Sequence, residues 1–140
     1  MPVPMVRFAR KQGLAVITLA NPDYNRLNRA VLAELQGALK EVQEPGVRAV
    51  LLKAEGPVFS YGADIKDLFV DLAPSELPAV LQGYLELIAA TEALPLPTLA
   101  AVDVVCSSGR LELALAFDQL WAAAGAGGGG NRTPTSFHGR

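Results

Sequence analysis

At 140 residues, 51% hydrophobic and 19% charged, the chain is long enough for one ordinary core and too apolar to be disordered by composition. Twelve basic against fourteen acidic side chains give a net charge of -2, which argues against a general nucleic-acid or anionic-membrane footprint. The one cysteine, Cys106, excludes an intramolecular disulfide and a cysteine zinc cluster and suits a reducing cytoplasm; residues 1–10 lack the apolar stretch of a leader, and no later run is long enough to span a bilayer.

Two short apolar and β-branched runs, residues 5–9 and 14–19, flank Arg10-Lys11-Gln12-Gly13 and are expected to form a hairpin with a glycine-containing loop. Asn21-Pro22-Asp23 stops the second strand. Asn28 is positioned to cap a helix on which Val31, Leu35, Leu39 and Val42 recur at three to four residues until Pro45-Gly46. Residues 47–53 (VRAVLLK) are a compact apolar run, too short for a helix, and are expected to be a buried strand followed by a loop over 54–62. A short helix is expected from Ala63 to Val70. A longer one after Pro74 is expected to carry Leu77, Leu81, Tyr84, Leu85 and Ile88 on one face and to end at Pro95 and Pro97. Residues 98–102 read as another buried strand and 109–117 as a helix with Glu112 in its first turn, so the order of elements implies an α/β fold with crossovers. Lys66 and Asp67 read as a solvated helix face, and Phe117 and Trp121 as core. After Ala124 the composition changes sharply: residues 125–130 are glycine and alanine, and 131–140 (NRTPTSFHGR) show no periodicity, so 125–140 are expected to be a flexible tail of the kind a frame disruption would leave.

Two loops that follow buried strands bring small residues to helix starts, Gly62-Ala63-Asp64 and Ser108-Gly109, an arrangement able to aim backbone N–H groups outward. Two such donors converging on one oxygen make an oxyanion hole, worth roughly 3 to 4 kcal/mol per donor in acyl transfer. Two ordinary strand-to-helix turns would read the same way. The only histidine, His138, lies in the tail, which argues against a Ser-His-Asp or Cys-His site around Cys106-Ser107-Ser108.

A family resemblance adds to this reading. Residues 47–68 (VRAVLLKAEGPVFSYGADIKDL) resemble the first signature of the enoyl-CoA hydratase/isomerase (crotonase) family, a strand followed by F-S-x-G-A-D-I/L-K. Residues 95–126 are similar to its second, P-x-x-A-x-x-x-G-x-x-x-G-G-G-x-E-L-A-L-x-x-D, and residues 21–35 (NPDYNRLNRAVLAEL) resemble its early P-x-x-N-x-L region. The resemblance covers most of residues 5–124, a partial acyl-CoA-binding domain, and implies the front part of a crotonase-like spiral of ββα units, C-terminally truncated. It implies an oxyanion hole from the N–H groups of Ala63 and Gly109, and coenzyme A lying along Tyr24, Arg26, Gly62, Asp64 and Ile65. Glu112 falls on the first of two glutamates that hold and activate water in hydratases, a role suited by a carboxyl whose pKa is raised in a water-poor pocket. No metal or separate cofactor is implied, since coenzyme A is part of the substrate; intact relatives are trimers or pairs of trimers.

The departures are specific. The G-G-G triplet is here Ser108-Gly109-Arg110, the Asn-Gly pair is Asp103-Val104, and the second glutamate would fall near Arg132, with no Asp or Glu after Asp118. Three expectations follow: an enoyl-CoA hydratase or isomerase acting in fatty-acid metabolism, a truncated or degenerate acyl-CoA-binding fragment without turnover, or the start of a longer multifunctional fatty-acid oxidation protein.

Overall fold

The computed structural model describes residues 3–56, 59–60, 62–102 and 116–122. Strands β1 (Val6–Lys11) and β2 (Leu14–Leu19) pair antiparallel in register from Val6↔Leu19 to Lys11↔Leu14. Gln12 and Gly13 alone make the turn, both at positive φ (49° and 90°), the backbone that matches the twist of a two-residue hairpin. The expected four-residue loop is therefore shorter, because Arg10 and Lys11 remain in an edge strand whose polar side chains face solvent. Arg10 reaches across to the Pro45 carbonyl at 3.0 Å.

Helix α1 (Arg29–Glu41) starts as the sequence indicates: the Asn28 side chain accepts the Val31 N–H at 2.8 Å. Val31, Leu35 and Leu39 are buried, with Leu32 and Ala38 widening the stripe and Val42 at its C-cap fully enclosed. Outward from this face, Glu34 accepts the N–H groups of Met5 and Val6, both at 3.0 Å, and so ties α1 to β1.

Strand β3 (Ala49–Ala54) lies parallel to β2, and β4 (Thr98–Val102) parallel to β3, giving the sheet order β1-β2-β3-β4-β5. The register stacks Ile17, Leu52 and Ala100 in one row and Ala15, Val50 and Thr98 in the next, all buried in the core under the helices. Burying a side chain such as Ile17 or Leu52 contributes about 1.5–3 kcal/mol. Strand β5 (Gln119–Ala122), which pairs parallel with β4, was not expected; four residues ahead of an alanine run carry too little period to announce a strand. Its start is fastened to that of β4 by a reciprocal clasp, the Thr98 N–H to Asp118 Oδ2 at 2.9 Å and the Asp118 N–H to Thr98 Oγ1 at 2.8 Å.

Helix α2 (Leu77–Glu92) packs on α1 through a face that overlaps the expected one only in part. Of the expected face, Tyr84 and Ile88 pack against the core, beside Val80 and the buried Leu87 and Thr91, whereas Leu81 and Leu85 are 41% and 58% exposed. Apolar residues occur almost all round this helix, so their spacing does not specify which stripe turns inward. The expected helix over 63–70 is a single π-type turn, Lys66–Val70, closed by the Asp71 N–H on the Lys66 carbonyl at 2.8 Å. Phe117 is buried as expected. The rest of the helix read over 109–117 and the tail read over 125–140 lie outside the described residues.

Candidate active site

In open sheets with parallel strands, ligands bind beyond the carboxyl ends of the strands. Three connections leave that edge here: the 20–28 loop after β2, the 55–64 loop after β3, and the connection after β4. The first two are woven together. Leu27 and Ala63 form an isolated parallel bridge, with the Leu27 N–H donating to the Gly62 carbonyl at 2.9 Å and the Asp64 N–H donating to the Leu27 carbonyl at 3.0 Å. Successive residues of an extended segment point their backbone groups to opposite sides. Gly62 C=O and Asp64 N–H face Leu27, so the N–H of Ala63 faces away. Among the described residues it makes no hydrogen bond.

The bridge is braced at both ends. Ser60, only 4% exposed, donates its hydroxyl to the Asn25 carbonyl at 2.6 Å and accepts the Gly62 N–H at 2.9 Å. Phe59, fully enclosed, anchors the same stretch in the core. Gly62 adopts φ +89°, which L side chains rarely take, while nothing lies within 4 Å of where a Cβ would stand. Its value at this position is conformational rather than a matter of room. On the other side, Asp64 Oδ1 accepts the Asp67 N–H at 3.1 Å, so the Asp64 carboxylate caps the next turn.

Asp67 stays partly exposed, as the sequence suggested, but it is also paired with another element. Its Oδ2 accepts the Arg29 N–H at 2.8 Å, at the first turn of α1, and both of its oxygens meet the Arg29 guanidinium at 3.3 Å. Partial burial pushes the Asp67 carboxyl up, but the Arg29 side chain and N–H outweigh it and hold the carboxyl below its ordinary value of 3.8. A carboxyl held low binds its proton less tightly folded than unfolded, so this contact stabilises the fold above the unfolded pKa and is lost as pH falls through the folded one. Asp67→Asn is expected to cost less than about 1 kcal/mol at neutral pH, the range of exposed ion pairs. In urea titrations the gap from the parent chain should close as pH drops through the acid range; a gap that widened would contradict the assignment.

The 20–28 loop is shaped by two buried asparagines. Tyr24 and Asn25 both sit at φ +53°, a conformation asparagine tolerates better than tyrosine. Asn25 Oδ1 accepts the Asn21 N–H at 2.8 Å and its Nδ2 donates to the Glu55 carbonyl at 2.7 Å, while Asn21 Nδ2 donates to the Arg26 carbonyl at 2.8 Å. These contacts outweigh the local strain and leave Tyr24 47% exposed. A cleft of about 260 Å³ opens beside it, lined by Ala20, Asn21, Tyr24, Asn25, Glu55 and Gly56. Arg26 pairs with Asp23 at 3.3 Å, Arg7 pairs with Glu55, and Ile65 is 60% exposed. A second cavity, of about 310 Å³, lies at the opposite end of the strands against Leu14, Ala49 and Thr98, away from these loops.

Of the residues expected to form the site, Ala63, Gly62, Asp64 and Ile65 lie on one braced segment and Tyr24 and Arg26 on the loop bonded to it. Gly109 and Glu112 lie outside the described residues. The residues to which the sequence reading gave no part in the site are Asn21, Asn25, Ser60 and Asp67. For the two asparagines the signal was the clustering of Asn and Asp around Pro22, whose side chains commonly bond to nearby backbone; Ser60 and Asp67 find partners in distant segments that no local pattern shows.

The family model described as enoyl-CoA hydratase/isomerase matches residues 9–133. The chain belongs to the enoyl-CoA hydratase/isomerase family. Its match runs past the change of composition at Ala124. The chain is 36% identical over 115 residues to the cyclohexa-1,5-dienecarbonyl-CoA hydratase of Thauera aromatica, covering 81% of this chain and 43% of that protein. It is 34% identical over 125 residues to an enoyl-CoA isomerase/hydratase of Mycosarcoma maydis, covering 82% of this chain and 45% of that one. The crystal structure of an enoyl-CoA hydratase from Bacillus anthracis superposes with a TM-score of 0.73 at 26% identity, over 87% of this chain and 48% of that one. The fold is thus that of the crotonases, and the chain spans less than half the length of these relatives, in keeping with a resemblance to part of the family pattern.

Proposed function

We propose that this chain carries the carbonyl-polarising part of a site for acyl-CoA thioesters in fatty-acid metabolism, with the N–H groups of Ala63 and Gly109 receiving the thioester oxygen. The observation that carries the reading is the outward Ala63 N–H, which makes no hydrogen bond among the described residues, on a bridge whose Leu27 N–H and carbonyl, Gly62 carbonyl and Asp64 N–H are paired. A donor already held in direction needs no reorganisation when negative charge grows on the oxygen, the condition under which such donors lower a barrier most. The coenzyme would run along Gly62, Asp64 and Ile65 towards the cleft at Tyr24, with Arg26 exchanging Asp23 for a phosphate. Exposed apolar side chains beside this segment, Ile65, Phe69 and Val70, offer surface for an acyl group.

In the hydration reaction, Glu112 takes a proton from water as the water oxygen bonds to the β-carbon. The double-bond electrons move towards the thioester oxygen under the two amides, and the resulting enolate collects a proton at the α-carbon from Glu112. One carboxylate balances the sequence of steps. The second acid of the family pattern has no counterpart near Arg132, which favours as a second reading a chain that binds acyl-CoA without turning it over.

Calorimetric titration of crotonyl-CoA against free coenzyme A, with loss of the conjugated thioester absorbance followed in parallel, separates these readings. Tighter binding of crotonyl-CoA with turnover supports the first, tighter binding alone the second, and equal or absent binding contradicts both.

A further inference from the structure

The two segments at the site are laced by four successive contacts: Ser60 hydroxyl to Asn25 carbonyl, Leu27 N–H to Gly62 carbonyl, Asp64 N–H to Leu27 carbonyl, and Arg29 N–H to Asp67 carboxylate. Three of these are surrounded by backbone geometry that other contacts also support: α1 fixes Arg29, and the bridge fixes Leu27 and Asp64 mutually. The first is different. Between Glu55 and Gly62 the connection leaves β3 and must return to the bridge, and Ser60 closes it through one side-chain oxygen used twice. That oxygen donates to one segment and accepts from the other, so it sets the separation of Asn25 from Gly62 and the tilt of the Gly62 peptide. The tilt matters because the peptide that carries the Ala63 N–H is the next one along, and at φ +89° Gly62 has no side chain to hold it.

We infer that Ser60 is the positioning residue for the Ala63 amide: its hydroxyl fixes the direction of a donor it never touches. The inference rests on the acyl-CoA reading above. An alanine at 60 leaves the buried Asn25 carbonyl and the half-buried Gly62 N–H without this partner, and both would turn to find others. Asn25 is held from two further sides, by Asn21 and Glu55, so the motion falls on Gly62 and Ala63. The substrate would still find its coenzyme contacts. Only the charge developing on the carbonyl would lose its donor, so kcat is affected and KM is largely spared.

The test compares Ser60→Ala with Val42→Ala in the full chain. Val42 is fully buried at the opposite end of α1, roughly 20 Å along the helix from its first turn, and supplies a loss of stability remote from the loop. Ser60→Ala should lower kcat for crotonyl-CoA hydration by about tenfold or more with KM changed by less than about threefold, whereas Val42→Ala should leave kcat within about twofold. Amide hydrogen exchange at Gly62, Leu27 and Asp64 should accelerate by about tenfold in Ser60→Ala alone. Ser60→Thr, which keeps the hydroxyl, should restore slow exchange at Gly62 and most of kcat. If the parent chain neither binds nor hydrates crotonyl-CoA, the acyl-CoA reading falls and the inference with it, even where exchange shows that Ser60 orders the loop. If the parent is active and Ser60→Ala matches Val42→Ala in kcat and in exchange, the positioning role falls and the acyl-CoA reading stands.

Discussion

Phe59→Ala is expected to lower the free energy of unfolding by about 3–5 kcal/mol. Phe59 is fully enclosed, in the same core cluster as Leu27, Leu52 and Val31, so truncation removes apolar burial and leaves a cavity in the core that neighbours on regular elements cannot easily collapse into. A domain of this size commonly has 5–15 kcal/mol in total, so the change would bring the chain near the edge of folding. The effect also reaches the site. Phe59 precedes Ser60, so a loosened ring frees the loop that ends in Ala63. Urea denaturation should show a large drop in midpoint with an unchanged slope; a loss below about 1 kcal/mol would mean that the ring does not hold the loop in the core.

The largest effect on activity is expected at Glu112. If the parent chain hydrates crotonyl-CoA, Glu112→Gln should reduce kcat by about 100- to 10,000-fold, the range for removal of a positioned general acid or base. Glutamine keeps the shape and one acceptor oxygen but cannot take the proton of the attacking water. Binding of crotonyl-CoA should stay close to that of the parent, because the coenzyme contacts and the two amides are untouched. Turnover unaffected by the substitution would reject the role given to this carboxylate, and a loss of binding equal to the loss of kcat would make it a structural residue.

Legibility in the sequence varied with how far each feature depends on distant residues. The Asn28 cap and the stripe of Val31, Leu35 and Leu39 depend on neighbours three and four positions away, and both appear in the structure as read. The parallel strands β3 and β4 stand out as apolar runs between turn residues. Helix α2 was legible as a helix but only partly in its orientation, because its buried side is chosen by α1 and not by its own spacing. Strand β5 exists only through its pairing with β4 and through the Asp118 clasp onto Thr98. At the site, Ala63 was singled out by the motif around it, but nothing in that motif says why its N–H is turned outward. The cause lies in Leu27, thirty-six positions earlier, with Asn25 and Ser60 setting the spacing. The pairing of Asp67 was hidden for the same reason: Arg29, its partner, belongs to another element.

The central claim concerns where a thioester oxygen settles, and amide resonances report that most directly. With the chain labelled in nitrogen-15 and titrated with crotonyl-CoA, the Ala63 and Gly109 amide protons should both move downfield together to saturation, while the protons of Leu27 and Asp64, already bonded within the bridge, hold their positions. Saturable binding of crotonyl-CoA that leaves the Ala63 and Gly109 amides unmoved would contradict the account.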